Sequence, residues 1–114
     1  MTKVLVTKNL EKEIIKRLSK KEADNIFLLI ASLEENPYKG DILTVIGNII
    51  LKEIKHKSFR FYCIHSTKIS KVLTQEELKN ELIKFVAMSK KGSEQQKTIN
   101  KIKQDLKNFG FEWF

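Results

Sequence analysis

Cysteine occurs once in the 114 residues, as Cys63, which excludes an internal disulfide and a cysteine-built zinc cluster and suits a reducing compartment. No segment approaches the ~20 apolar residues that span a bilayer. The opening Met1-Thr2-Lys3-Val4-Leu5-Val6 lacks the long apolar stretch of a secretion signal, so a cytoplasmic protein without a membrane partner is expected. The two histidines, His56 and His65, have no metal-ligand spacing and no ligand cluster beside them. Neither a metal nor another cofactor is expected. No phosphate-binding glycine loop and no nucleophile elbow is present. The length excludes a two-domain enzyme or a TIM barrel, yet suffices to bury a core without metal or disulfide staples.

What the chain has in quantity is lysine. Lys and Arg total 22 against 14 Asp and Glu, a net charge of +8, and only Arg17 and Arg60 are arginine. Such a balance points to a polyanionic partner. The segment 41–71 is the most basic per residue, with six bases against two acids. Most of the remaining lysines read as solvated surface.

Val4-Leu5-Val6 fits a short edge strand. Leu10, Ile14, Ile15 and Leu18 form a helical stripe over 10–18. Ser19-Lys20-Lys21-Glu22 is a capping box that starts a second helix at Lys20, with Ala23, Ile26, Phe27, Ile30 and Leu33 on its apolar face. The single proline, Pro37, stops it, because a residue before proline disfavours helical dihedrals. The two helices predict an antiparallel hairpin. Residues 42–65 then read as a three-stranded antiparallel meander, with turns at Gly47-Asn48 and at His56-Lys57-Ser58. Thr74-Gln75-Glu76-Glu77 opens a short helix over 74–82, and 83–88 is a strand. Ser93-Glu94-Gln95-Gln96 caps a last helix that ends at Gly110. The expected architecture is a single α+β domain, with a helical hairpin and a terminal helix packed on a curved antiparallel sheet.

Alternation along strands sorts side chains into faces. Phe59, Phe61 and Cys63 share one face and read as core, with Cys63 a buried, inert thiol; His65 falls on the same parity at the strand end and reads as a packed or solvent-exposed histidine. Arg60, Tyr62 and Ile64 share the other. A two-residue turn at His56-Lys57 would set Glu53 opposite Arg60 and Leu51 opposite Tyr62, leaving Glu53, Lys55, Arg60 and Tyr62 on one open face. Arg60 stands out because a lineage this rich in lysine keeps arginine where a planar fork is useful. Its two readings are a cross-strand ion pair with Glu53 and a phosphate contact. Metal-free RNA cleavage needs a base for the 2′-OH, cations for the phosphorane and an acid for the leaving oxygen, and this set supplies each type. The same set also suits a passive phosphate-binding patch. Lys90-Lys91-Gly92, just before a helix N-terminus, suits phosphate too. Lys52, His56, Lys57 and Lys97 are candidate nucleic-acid contacts. The aromatic end, Phe109-Gly110-Phe111-Glu112-Trp113-Phe114, suits packing on the sheet or a partner, or stacking of a base.

Three segments carry a family resemblance. They are Leu33-Glu34-Glu35-Asn36-Pro37 after the hairpin, Leu51-Lys52-Glu53-Ile54-Lys55 with Phe59-Arg60-Phe61-Tyr62, and Phe85-Val86-Ala87-Met88-Ser89-Lys90-Lys91 followed by Gln95-Gln96-Lys97-Thr98-Ile99. In order and spacing they resemble the RelE/ParE superfamily of type II toxin–antitoxin toxins, leaning towards the HigB-like, phage-Gp49-like branch. The resemblance implies a helical hairpin on a curved sheet and a metal-independent endoribonuclease that cuts mRNA on the ribosome. It also implies a cognate antitoxin that masks the basic face. Its site residues carry over onto Glu53, Lys55, Arg60, Tyr62, Lys90 and Lys91. Lys55 stands where the family usually has arginine, 74–82 adds a helix, and the tail offers Phe and Trp where many relatives have a late Tyr or His. Alternatives are a non-catalytic toxin that binds DNA gyrase, as in the ParE branch, and a degenerate antitoxin- or nucleic-acid-binding module.

Overall fold

The computed structural model describes residues 2–66 and 82–114. Strand β1 (Lys3–Val6) is followed by helices α1 (Lys8–Arg17) and α2 (Lys20–Ala31), then by a 3-10 turn at Ser32–Glu34. Strands β2 (Asp41–Ile46), β3 (Ile49–His56), β4 (Phe59–Ser66) and β5 (Leu82–Lys90) lead to helix α3 (Ser93–Phe109) and a 3-10 turn at Phe111–Trp113. The helix expected over 74–82 lies outside the described residues, except that Leu82 opens β5. No helix among the described residues is long and apolar enough to cross a membrane.

The helix boundaries follow their caps. Thr7 Oγ1 accepts from Leu10 N–H at 3.3 Å, so α1 begins before its first buried residue, Leu10. Ser19 Oγ accepts from Glu22 N–H at 3.2 Å and starts α2 at Lys20, as expected. The Glu22 carboxylate, however, is directed to the β3–β4 turn and not to the Ser19 N–H. At the terminal helix the cap is Gly92, not Ser93. Gln95 Oε1 accepts from Gly92 N–H at 2.7 Å, so the glutamine three residues on supplies the reciprocal bond.

The sheet has five strands in the order β1-β5-β4-β3-β2. It is mixed rather than wholly antiparallel, because β1 pairs with β5 in parallel. The β2–β3–β4 meander is present, and β5 adds antiparallel to β4. Both faces are covered. On one, Leu10 and Ile14 of α1 and Ala23, Ile26 and Ile30 of α2 pack on Ile54, Phe61, Cys63, Ile83, Phe85 and Met88. On the other, Ile102 and Leu106 of α3 pack on Ile49, Leu51, Tyr62 and Ile64. The helical stripe of α3 and the second face of the meander thus cover each other, each apolar surface leaving water against the other.

The loop between α2 and β2 closes tightly on β3. Gly40 has φ +103°, and a Cβ there would lie 3.0 Å from both the Glu53 carbonyl oxygen and Ile54 Cγ1. Gly47, at φ +59°, has open space around it. Gly40→Ala is therefore expected to lower unfolding free energy by about 2 kcal/mol through dihedral strain and collision. Gly47→Asn should change it by less than about 0.5 kcal/mol, since asparagine tolerates the left-handed region. Urea denaturation of the two variants checks the difference.

Candidate nucleic-acid interface

The β3–β4 turn decides where the candidate residues meet. It is built on Lys57-Ser58, with Lys57 at φ 54°, and not on His56-Lys57. The register consequently sets Lys55 opposite Arg60, Glu53 opposite Tyr62 and Leu51 opposite Ile64. This is two residues from the expected pairing. A shift of two preserves which side chains share a face, so Glu53, Lys55, Arg60 and Tyr62 do lie on one side of the sheet.

That side is not open. Helix α3 lies over its inner part, leaving Tyr62 at 0% and Glu53 at 5% exposure. Tyr62 OH lies 2.9 Å from Ser89 Oγ, and burial raises its phenol above the ordinary range. Gln95 Nε2 donates to Glu53 Oε2 at 3.4 Å while its Oε1 holds the Gly92 N–H. Arg60 Nε stands 3.8 Å from Glu53 Oε1, and the guanidinium bends back so that Nη1 donates to the Lys57 and Phe59 carbonyls at 3.0 and 2.8 Å. The Arg60–Glu53 contact is thus diagonal and largely buried. Arg60 Nε is itself buried without a hydrogen bond among the described residues.

Around this polar nest lies a cationic rim. Lys55 is exposed on β3, with Asp41 Oδ2 at 3.8 Å. Lys90 pairs with Phe59 in the sheet, and Lys91 N–H donates to the Ser58 carbonyl at 2.8 Å, which pins the Lys90-Lys91 loop to the β3–β4 turn. Both lysine side chains are exposed. His56 and Lys57 sit at the same turn, with Glu22 Oε2 at 3.4 Å and Oε1 at 2.6 Å. Hydrogen bonds from Lys57 and then His56 hold the Glu22 carboxyl below its usual range. The first turn of the helix beside Lys90 and Lys91 carries an acid of its own, Glu94, whose Oε1 accepts from Lys90 N–H at 3.4 Å.

Two candidates lie elsewhere. Lys52 is on the opposite face, 4% exposed, with Nζ donating to the Pro37 carbonyl at 2.7 Å; burial lowers its pKa. Its amine ties the α2–β2 loop to β3 and does not reach the Arg60 face. Lys97 lines a cleft of ≈ 380 Å³ with Glu13, Arg17 and Lys101, between α1, β5 and α3. Sequence reasoning missed Ser89 and Gln95, which hold Tyr62 and Glu53. Arg17 meets Glu13 one turn away at 2.9 Å, as their spacing on the helix suggests, but its second partner, Glu94 at 3.2 Å, which joins α1 to α3, was missed. The scarcity of arginine that marks Arg60 marks Arg17 equally.

The remaining nucleophile and histidine are core. Cys63 is fully buried and its thiol is pushed up to about 12 by that burial. His65 Nε2 lies 4.0 Å from Cys63 Sγ, and burial, followed by the neighbouring Lys52 charge, moves the imidazole down to about 3.

The sequence matches no family model and no curated protein. Among solved structures, a chain of the archaeal RelE–RelB complex from Pyrococcus horikoshii OT3 superposes with a TM-score of 0.59 at 16% identity, over 81% of this chain and 97% of that one. The fold is RelE-like. The hairpin, sheet and terminal helix of this RelE-like chain are the elements that the sequence resemblance implied. The isolated E. coli RelE toxin is similar over 88% of this chain and 97% of its own, at 11% identity and a TM-score of 0.48.

The His65 environment yields a pH dependence. The unfolded imidazole binds a proton below its ordinary 6.5, whereas the folded one stays neutral down to about 3. Stability is therefore full above the unfolded value and falls as pH drops through this window, because the unfolded state gains the proton first. His65→Leu is expected to flatten that acid limb in a series of urea midpoints. An unchanged slope would show that other groups govern the acid limb.

Proposed function

We propose that this chain is the toxin of a type II toxin–antitoxin pair, a metal-independent endoribonuclease that cuts mRNA on the ribosome. The observation that carries this reading is the convergence of Arg60 with Lys55, Lys90 and Lys91 at one end of a RelE-like sheet. In this reading the 2′-oxygen attacks phosphorus and the bond to the 5′-oxygen breaks. Arg60 turns from its backbone carbonyls to hold the scissile phosphate, and the three lysines offset the charge of the phosphorane. His56 at the rim or Glu53 beneath Arg60 moves the proton. Tyr62, enclosed under α3, orients β4 against β5 through Ser89 and does not stack on a base. Lys57 contacts the nucleic acid beside the turn.

The partner in this reading is a cognate antitoxin, as RelB is for RelE in the archaeal complex. Ile42 and Val45 of β2 are 64% and 58% exposed, and an acidic segment crossing them towards the rim would bury apolar area and cover the cations. A second reading, a non-catalytic binding module, draws on the enclosure of Glu53 and Tyr62.

Mapping mRNA 5′ ends during induced expression separates the two. Arg60→Lys is expected to fold normally yet lose most growth arrest and cleavage, because an ammonium cannot make the paired contact. Arg60→Ala should lose both and also cost about 1–3 kcal/mol of stability, since the Glu53 carboxylate is left without its counter-charge. Full cleavage by a folded Arg60→Ala protein would sink the assignment. Lys90→Glu with Lys91→Glu is expected to weaken ribosome binding and flatten its dependence on salt, since fewer counterions are released. Co-sedimentation that responds neither to this double change nor to salt would place the RNA on another surface.

A further inference from the structure

The aromatic end of the chain divides into two pairs. Gly110, at φ +81°, turns the backbone after α3. Phe111 and Phe114 then pack against the second core cluster, where Lys84 Nζ lies 4.5 Å from the Phe111 ring centre and donates to the Phe114 backbone oxygen at 3.3 Å. Phe109 and Trp113 go the other way. Their rings stack on each other, with centroids 4.2 Å apart and planes 23° from parallel, and they remain 56% and 57% exposed. Two large rings held flat against one another in solvent present π faces that the fold does not use.

The surface leading to them is cationic. The most exposed positions of α3 from Ser93 to Asn108 are Ser, Gln, Asn and Lys. Gln96, Lys97, Asn100, Lys101, Gln104 and Lys107 follow a helical stripe. The two acids of this helix are paired: Glu94, its side chain 46% exposed, with Arg17, and Asp105, 8% exposed, with Lys101. Glu112 is the one exposed acid of the tail. The stripe runs about 25 Å from the Lys90-Lys91 loop to the aromatic pair, at about 1.5 Å per helical residue.

We propose that Phe109 and Trp113 form a base-stacking platform for single-stranded RNA, whose backbone follows the α3 stripe between the Arg60 end and the tail. The proposal rests on the reading of RNA as the substrate and adds a second contact remote from the reacting phosphate. Lysines track the phosphates, and the stacked rings take an unpaired base irrespective of its identity. A protein partner is the less favoured occupant, because the approach offers amides and ammonium groups rather than apolar surface.

Trp113 is the only tryptophan, so its fluorescence reports the contact directly. The probe is a short single-stranded oligoribonucleotide carrying 2′-O-methyl groups, which bind but cannot cleave themselves. At low salt it should quench Trp113, and duplex RNA of the same length should not. Phe109→Ala and Trp113→Leu, checked for folding by circular dichroism, should each weaken binding by about tenfold in anisotropy titrations. Trp113→Phe should restore most of it. Binding without quenching, unaffected by either substitution, overturns the platform and assigns the pair to a protein contact. Quenching by a protein that fails to cleave ribosome-bound mRNA supports the platform and overturns the nuclease reading. Cleavage without quenching does the reverse.

Discussion

The central strand β4 is enclosed on both faces, and the rest of the molecule is arranged around that constraint. Phe61, Cys63 and His65 enter the core beneath the helical hairpin, while Tyr62 and Ile64 enter the core beneath α3. A strand so enclosed cannot present a row of functional side chains to solvent. Only its turn end emerges, and Arg60 is the first β4 residue on the α3 side of that end. The polar side chains of the α3-covered face are therefore gathered at a rim made of the β3–β4 turn, the loop after β5 and the first turn of α3. The three are tied together by the Lys91–Ser58 and Gln95–Glu53 hydrogen bonds.

Charge on that rim is organised by acids beneath and beside the cations. Glu53 lies under Arg60, Glu22 between His56 and Lys57, and Glu94 against Arg17. Glu53 is buried, whereas Glu22 and Glu94 are partly exposed, and each carboxylate fixes the cation beside it. Lys90 and Lys91 show no ion pair among the described residues. The outer charge of the rim is set by these exposed ammonium groups, with the guanidinium of Arg60 turned back onto the β3–β4 turn.

The helical half of this architecture was legible because its signals are local. Ser19 caps α2 where expected from its neighbours, whereas the Thr7 cap of α1 carried no such reading, and α2 passes into the 3-10 turn at Ser32–Glu34 before Pro37 is reached. The strands were legible as strands, and the parity of Leu51, Tyr62 and Ile64 already opposed an open face, since three apolar residues there needed a cover. The stripe of Ile99, Ile102 and Leu106 was that cover. The register was not legible, because Lys57 adopts a positive φ without the Gly or Asn that would mark it. The burial of Lys52 was equally hidden. Its place in an alternating strand puts it on the hairpin face, but only the tertiary position of the Pro37 carbonyl makes that burial tolerable. Ser89 and Gln95 matter through partners on other elements, and nothing in their own sequence neighbourhood names those partners.

The parallel pairing of β1 with β5 has a consequence for the order in which the chain is made. Leu10 and Ile14 pack against Ile83, Phe85 and Met88, and Val4 stands beside Ile83 in the sheet. The hairpin that is synthesised first thus has much of its hydrophobic cover supplied by a strand synthesised near the end, and closing that long loop precedes the contacts that reward it. The Arg17–Glu94 link spans 77 residues in the same sense. A nascent chain stopped before β5 carries the hairpin without the cover of Ile83, Phe85 and Met88 and lacks Lys90 and Lys91. The cationic rim and the core that supports it therefore come into being together, as the last third of the polypeptide leaves the ribosome.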